Sequence, residues 1–181
     1  MSQQDLTLAG VGGQGSILAG VILGEAAVIY DGKYAIQTQA YSAELRGGFA
    51  AAWVIVSDQP IQFPRVTRPD ILVAQAQDSI DRFAATLKDS SIVICDSDLI
   101  KSFPGKFKNA YGIPATSLAR NKIKNMIVTN MIMLGALCKV TGVVSKKAIE
   151  SAIKDAVPNS KEEINLEAFE LGYENVSCFE L

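Results

Sequence analysis

The stretch Leu6-Thr-Leu-Ala-Gly10-Val-Gly-Gly-Gln-Gly15-Ser16-Ile-Leu-Ala-Gly20-Val-Ile-Leu-Gly-Glu25-Ala26 decides the fold. Leu6 to Ala9 is a short apolar run, a glycine cluster follows, and from Ser16 onward Ala, Leu, Ile and Val recur at helical spacing. The order is therefore strand, tight loop, helix. Ile17, Leu18, Val21, Ile22 and Ala26 are the expected buried face of that helix. Asp31-Gly32 supplies a turn, and Tyr34 to Tyr41 alternates imperfectly, as a second strand. Between it and the β-rich run Phe49 to Val56 lies the polar loop Ser42-Ala-Glu-Leu-Arg-Gly-Gly48, whose adjacent glycines admit backbone conformations closed to other residues. Ser57-Asp-Gln-Pro60 reads as a hairpin turn, with Ile61 to Phe63 as a returning strand.

Working outward, Asp70-Ile-Leu-Val-Ala74 has the character of a buried parallel strand, and Asp78 to Lys88 has helical spacing with Ile80, Phe83, Ala84 and Leu87 inward. Ser91-Ile-Val-Ile-Cys95 is the next strand, which completes a β-α-β unit with its right-handed crossover. Ile113-Pro-Ala-Thr116 reads as one more strand. A long helix is expected from about Ser117 to Val140, stopped at Thr141-Gly142, then a second opened by Ser145 and running to about Ala156. Lys161 to Tyr173 reads as an acidic amphipathic helix. With no repeat and no linker, residues 1–181 are read as a single α/β domain with a mostly parallel sheet flanked by helices.

Composition narrows the chemistry. The chain has 181 residues, 49% hydrophobic and 20% charged, with a formal net charge of −2, which excludes a disordered polypeptide and gives no electrostatic footprint for nucleic acid. It has no histidine, so Ser-His-Asp and Cys-His nucleophile systems and histidine metal sites are absent. Cys95, Cys138 and Cys178 are widely separated with no CxxC, the pattern of free thiols in a reducing cytoplasm rather than of zinc or iron–sulfur ligation. The first ten residues lack a charged n-region and a long apolar stretch, so export is not expected. Met126 to Val144 is interrupted by Thr129, Asn130 and Lys139, and reads as a core helix rather than a membrane span.

Gly10, Gly12 and Gly15 satisfy GxGxxG after a strand and at a helix start, where backbone N–H groups and the helix dipole favour an anion. Ala35-Ile-Gln-Thr-Gln39, roughly twenty positions on, offers no acidic residue for a nicotinamide ribose. The spacing also fits a P-loop, but Ser16 stands where its Lys belongs. Glycines that merely permit a tight turn and close helix packing are the other reading.

The constellation is more specific than the loop. Gly10-Val-Gly-Gly-Gln-Gly-Ser16, then Tyr41-Ser-Ala-Glu-Leu-Arg-Gly-Gly48, Ser57-Asp, Pro69-Asp-Ile-Leu-Val-Ala74, Asn121-Lys-Ile-Lys-Asn-Met126 and Asn130-Met-Ile-Met-Leu-Gly-Ala136 together closely resemble the gamma subunit of 2-oxoacid:ferredoxin (acceptor) oxidoreductases, up to about Ala156. That resemblance implies a Rossmann-like or flavodoxin-like three-layer domain. It also implies an enzyme complex that decarboxylates a 2-oxoacid on thiamine diphosphate, passes electrons through iron–sulfur clusters to ferredoxin or flavodoxin, and transfers the acyl group to coenzyme A. Thiamine and clusters are implied on alpha, beta and delta-type partner subunits, leaving the gamma chain inactive alone, cytoplasmic, and concerned with assembly and coenzyme A handling. A separate short gamma chain with E-L-R-G-G is most similar to the 2-oxoglutarate branch, ahead of pyruvate and branched-chain 2-oxoacids. The residues onto which the role carries are Gly12, Gly13, Gln14, Gly15, Glu44, Arg46, Gly47 and Gly48.

Physically, Gln14 offers an amide donor and acceptor, for a partner group or for bracing its own loop. Arg46 carries a planar fork suited to a carboxylate or phosphate, or to a salt bridge with Glu44. Lys101 to Lys124 contains six basic residues and no acidic one, a surface for coenzyme A phosphates or simply a solvated face. Asn125 and Asn130 require partners if buried, and Trp53 with Val54, Ile55 and Val56 is read as core or subunit interface. Two other readings stand beside the subunit: a stand-alone nucleotide- or flavin-binding module, and a purely structural assembly subunit. A free gamma chain with its interface exposed can also pair with itself.

Overall fold

The structure is a computed structural model that describes residues 3–41, 48–105 and 107–179. The strands are β1 (Gln4–Val11), β2 (Tyr34–Tyr41), β3 (Phe49–Ser57), β4 (Ile71–Ala74), β5 (Ile92–Asp96), β6 (Asn109–Ile113) and β7 (Ser177–Cys178). The helices are α1 (Ser16–Glu25), α2 (Gln77–Phe83), α3 (Ala115–Leu118), α4 (Thr129–Thr141), α5 (Lys146–Ala156) and α6 (Glu162–Asn175). Among the described residues they build one seven-stranded sheet in the order β2-β3-β1-β4-β5-β6-β7. Its centre, β1-β4-β5-β6, is parallel, whereas β2, β3 and β7 join antiparallel at the margins. The α/β class read from the sequence is what the chain adopts, as a mixed sheet with a parallel heart.

Alternation along the strands sorts side chains onto two unequal faces. Leu6, Leu8, Val54, Val56, Ile71, Val73, Ile94 and Ile113 point into the larger core, with Ile22 and Leu23 of α1, the buried length of α4, Ile149 and Ile153 of α5, and Phe169 of α6. The opposite face gathers Ala9, Ala51, Leu72, Ala74, Val93 and Cys95 against Ile80 of α2, Leu87, Ile100 and a rim of aromatic rings. Residues Thr129 to Cys138 of α4 are all buried, as befits a helix apolar on every side, because α6 forms a further layer over it. That packing is close: an added Cβ at Gly172 would fall on the Ile132 carbonyl, and one at Gly135 on the Phe169 carbonyl.

Several local expectations are corrected. On α1 the buried positions include Ala19, Gly20, Ile22 and Leu23, whereas Leu18 and Val21 are exposed; Gly20 lies against Ala52 and Gln37, turning the helix so that small residues face the sheet. Ile61 to Phe63 is not a strand. The segment is irregular instead, and Phe63 to Val66 shares a groove with Thr38 and Trp53. Trp53 is only half-buried there, edge-on to Phe83. The last parallel strand lies earlier than Ile113-Pro-Ala-Thr116, at Asn109–Ile113, because Pro114 begins the entry to α3. The expected long helix is broken at Lys124, whose φ of 59° is left-handed, and Asn125 accepts from the Ile127 N–H at 3.0 Å to start a new turn. Lys161 to Tyr173 does form a helix, at Glu162–Asn175, and Ser145 caps α5 as read, accepting from the Ala148 N–H at 3.3 Å.

The free thiols divide by burial. Cys95 and Cys138 are buried and Cys178 is exposed; removal from water pushes the Cys95 thiol up to about 12 and the Cys138 thiol up to about 11. Since the thiolate is the reactive form, alkylation of the native purified chain near pH 8 is expected to modify Cys178 alone, with Cys95 and Cys138 reacting only on unfolding. Peptide mapping after timed iodoacetamide labelling checks this, and early labelling of either buried thiol would contradict it.

Candidate functional site

The site is built where the chain changes direction across the sheet. From β1 the chain passes through α1 towards β2 and β3 on one side, while β4, β5 and β6 lie on the other. This is a topological switch point, and in open α/β sheets ligands bind outside the carboxyl ends of the strands there. The glycine loop after β1 occupies it. Gly13 and Gly15 have φ of 96° and 72°, a left-handed backbone that side chains disfavour, and Gly15 caps α1 with no side-chain bond.

Gln14 is tied into the chain at both ends of its amide. Its Oε1 accepts from the Val11 N–H at 2.8 Å, and its Nε2 donates to the Gln75 carbonyl at 2.9 Å. Gln75, the first residue beyond β4, is 1% exposed; its Nε2 donates to Ser16 Oγ at 2.6 Å, while its Oε1 has no partner among the described residues. Asn130, from the start of α4, is buried and donates through Nδ2 to the Gly15 carbonyl at 3.3 Å. Gly10 makes room for the cluster, since a Cβ there would lie 2.5 Å from Gln14 Oε1 and 2.9 Å from Ser16 Oγ.

The second motif arrives at the same place. Antiparallel pairing sets Val11 opposite Phe49, which carries Gly48 back to the glycine loop, where its carbonyl accepts from the Gly12 N–H at 2.6 Å. Two motifs some thirty residues apart are thus one structural unit. Glu44, Arg46 and Gly47 lie outside the described residues. Sequence reading missed Gln75, Ser16 and Asn130 as members of this cluster; the available signal was polarity immediately after a parallel strand, since Gln75 ends the run Ile71–Ala74 at the same sheet edge as the glycine loop.

Other polar groups at this edge serve the fold. Asp96 is 1% exposed and accepts from Thr116 Oγ1 at 2.6 Å, the Thr116 N–H at 3.2 Å and the Asp98 N–H at 3.1 Å; burial raises its carboxyl pKa, while the Thr116 hydroxyl bond pulls it down. Asp98 accepts from the Ser117 N–H at 2.6 Å, so the pair satisfies the orphan donors at the start of α3. Lys101, Lys108, Arg120, Lys122 and Lys124 of the basic run are exposed. Three cysteines in the whole chain cannot supply the four thiolates of an ordinary iron–sulfur cluster. Among the described residues no three His, Cys, Asp or Glu side chains gather as a metal site, and no helix is long and apolar enough to cross a membrane.

A glycine loop at the switch point of a mixed α/β sheet, braced by Gln14 and Gln75 and tied to a second glycine motif, defines the class, and comparison with known proteins places it. The chain belongs to the pyruvate ferredoxin/flavodoxin oxidoreductase family, whose model matches residues 5–175, and is a gamma-type subunit within it. It is 48% identical, over 95% of its length and 93% of the relative's, to the 2-oxoglutarate synthase subunit KorC of Methanocaldococcus jannaschii. The crystal structure of the keto/oxoacid ferredoxin oxidoreductase gamma subunit from Geobacter sulfurreducens superposes with a TM-score of 0.88 at 40% identity, covering 97% of each chain. The fold also recurs, with a TM-score of 0.84 at 23% identity, in the 2-oxoglutarate:ferredoxin oxidoreductase of Magnetococcus marinus with 2-oxoglutarate, coenzyme A and succinyl-CoA bound; 96% of this chain matches 31% of that one.

Proposed function

We propose that this gamma-type chain serves a 2-oxoglutarate:ferredoxin oxidoreductase, completing a complex whose alpha, beta and delta-type subunits hold thiamine diphosphate and iron–sulfur clusters and whose acceptor is ferredoxin or flavodoxin. The observation that carries the substrate is end-to-end similarity to a 2-oxoglutarate synthase subunit at 48% identity. The cysteine content supports placing the clusters elsewhere. Residues 1–181 act as one domain, in the cytoplasm.

Within the complex, the unit made of Gly12, Gly13, Gln14, Gly15 and Gly48, continued by Glu44, Arg46 and Gly47, forms the surface that faces the active centre and the anionic part of coenzyme A. When bound, coenzyme A supplies the thiol that accepts the acyl group. The contribution of this chain is positional: the first-turn N–H groups of α1 lack intrahelical partners and favour an anion, and Gln14, spent on Val11 and Gln75, holds the loop in the shape that presents them.

The test is purification of a tagged copy from its native cell, identification of co-purifying chains, and assay of coenzyme A-dependent oxidation of several 2-oxoacids with an artificial electron acceptor. Recovery of thiamine- and cluster-binding partners with highest kcat/KM on 2-oxoglutarate is expected; preference for another 2-oxoacid would overturn the substrate. Arg46→Ala is expected to leave the complex assembled while raising the KM for coenzyme A about tenfold or more, the scale of one lost charge-assisted contact. Loss of assembly would instead make the loop a purely structural interface.

A further inference from the structure

We propose that two copies of this chain pair through β2, continuing the sheet across a twofold axis with the α1 helices side by side above it. The edge is the first reason. Among the described residues β2 pairs only with β3, so the other side of Tyr34–Tyr41 presents unpaired backbone donors and acceptors. Soluble proteins protect such edges with charges, proline, bulges or a covering element. The sequence Tyr-Ala-Ile-Gln-Thr-Gln-Ala-Tyr has no charge and no proline, and its full length runs in unbroken register with β3.

The second reason is α1, which lies over this margin. Gly20 faces Ala52 of β3 and Gln37 of β2, while Ala19, Ile22, Leu23 and Ala26 enter the large core. At 100° per residue, Leu18 and Val21 of α1 then share the flank turned away from that core with the half-buried Glu25 between them, and the two apolar side chains are 41% and 36% exposed. A strand edge with no partner among the described residues and a helical flank carrying two exposed apolar side chains, Leu18 and Val21, therefore share one margin of the molecule.

The occupant follows from self-complementarity. A twofold perpendicular to the sheet keeps like faces together, so the residue numbers of each cross-strand pair sum to an even number. Centred on Thr38, the pairing sets Gln37 opposite Gln39, Ile36 opposite Ala40 and Ala35 opposite Tyr41. Within the strand pair amides meet amides and no like charges meet, as an isologous contact requires; Glu25 is the one charge on the α1 flank. Eight residues at about 3.3 Å each span about 26 Å, and a strip of that length two layers deep is on the order of the roughly 800 Å² per partner of a standard interface. This inference does not depend on which 2-oxoacid the complex oxidises.

The test uses the full chain, free and in the assembled complex. Light scattering of the free chain is expected to give twice the 19.3 kDa mass, and Val21→Glu or Gln39→Lys to weaken dimerisation about tenfold or more while circular dichroism stays unchanged. In a Cys178→Ser background, removing the exposed thiol, Thr38→Cys is expected to form an interchain disulfide under mild oxidation, because residues opposite on the axis lie within disulfide reach. The same cross-link is expected within the complex. A monomer with no cross-link overturns the proposal, as does a dimer insensitive to both substitutions, or a different subunit covering the edge in the complex.

Discussion

Gly172→Ala is expected to cost about 3 kcal/mol or more, lowering the Tm of the purified chain by about 6–12 °C or leaving it insoluble. The cause is a helix crossing with no space for a methyl group. At Gly172 an added Cβ meets the Ile132 carbonyl oxygen directly and lies 2.7 Å from its carbon, and at Gly135 it meets the Phe169 carbonyl oxygen and lies 2.8 Å from the Tyr173 nitrogen. All of these are backbone atoms of helices, so neither side relieves the overlap by changing rotamer. α4 would have to part from α6, exposing apolar surface whose burial is worth about 25 cal/mol per Å². Gly24→Ala is the control: its Cβ meets nothing within 4 Å, and exchanging a helical glycine for alanine should stabilise by about 0.5–1 kcal/mol. Thermal denaturation of both variants decides, and similar Tm values would refute the close crossing.

The second large effect is expected at Gly10. Gly10→Ala places a Cβ 2.5 Å from Gln14 Oε1, 2.9 Å from Ser16 Oγ and 3.3 Å from Gln75 Cβ. Gln14 would have to swing out, giving up its bonds to the Val11 N–H and the Gln75 carbonyl, and rotation of Ser16 would break its bond from Gln75. At about 1 kcal/mol for each hydrogen bond, with strain added, the expected loss is about 2–4 kcal/mol. Removing the obstructing side chain separates this account from general fragility: Gln14→Ala combined with Gly10→Ala should cost less than the sum of the two singly, a coupling of about 1 kcal/mol or more. Strict additivity in urea denaturation would mean that the crevice is not packed as described.

Much of the architecture was legible in local patterns. The runs Leu6–Ala9, Phe49–Val56, Asp70–Ala74 and Ser91–Cys95 fall on strands, and Ser145 marks the start of α5, because apolar periodicity and capping chemistry are properties of neighbouring residues. The errors lie where tertiary contact overrides local preference. Lys124 and Asn125 interrupt a run that reads as continuous helix, and Ile61–Phe63, apolar enough for a strand, is irregular chain whose Phe63 borders a groove with Thr38 and Trp53. The exposed Leu18 and Val21 were assigned inward because the helical period defines an apolar face without saying which neighbour takes it.

The candidate site divides in the same way. The glycine loop and the glycines near residue 48 stood out as motifs, since their spacing is local, and their joint wording pointed to the family. That Gly12 donates to Gly48, and that Gln75 and Asn130 close the loop from β4 and α4, depends on strand register and helix placement, which bring distant residues within 3.5 Å only after the sheet has formed. The sequence by itself determined the α/β class, the glycine-loop motif, the family and the absence of histidine and cysteine-cluster chemistry, all carried by residue type and short spacing. Tertiary structure alone decided the order of the strands, the closure of the polar crevice, the touching backbones of α4 and α6 and the open edge at β2, because each is a relation between surfaces that no short stretch of chain contains.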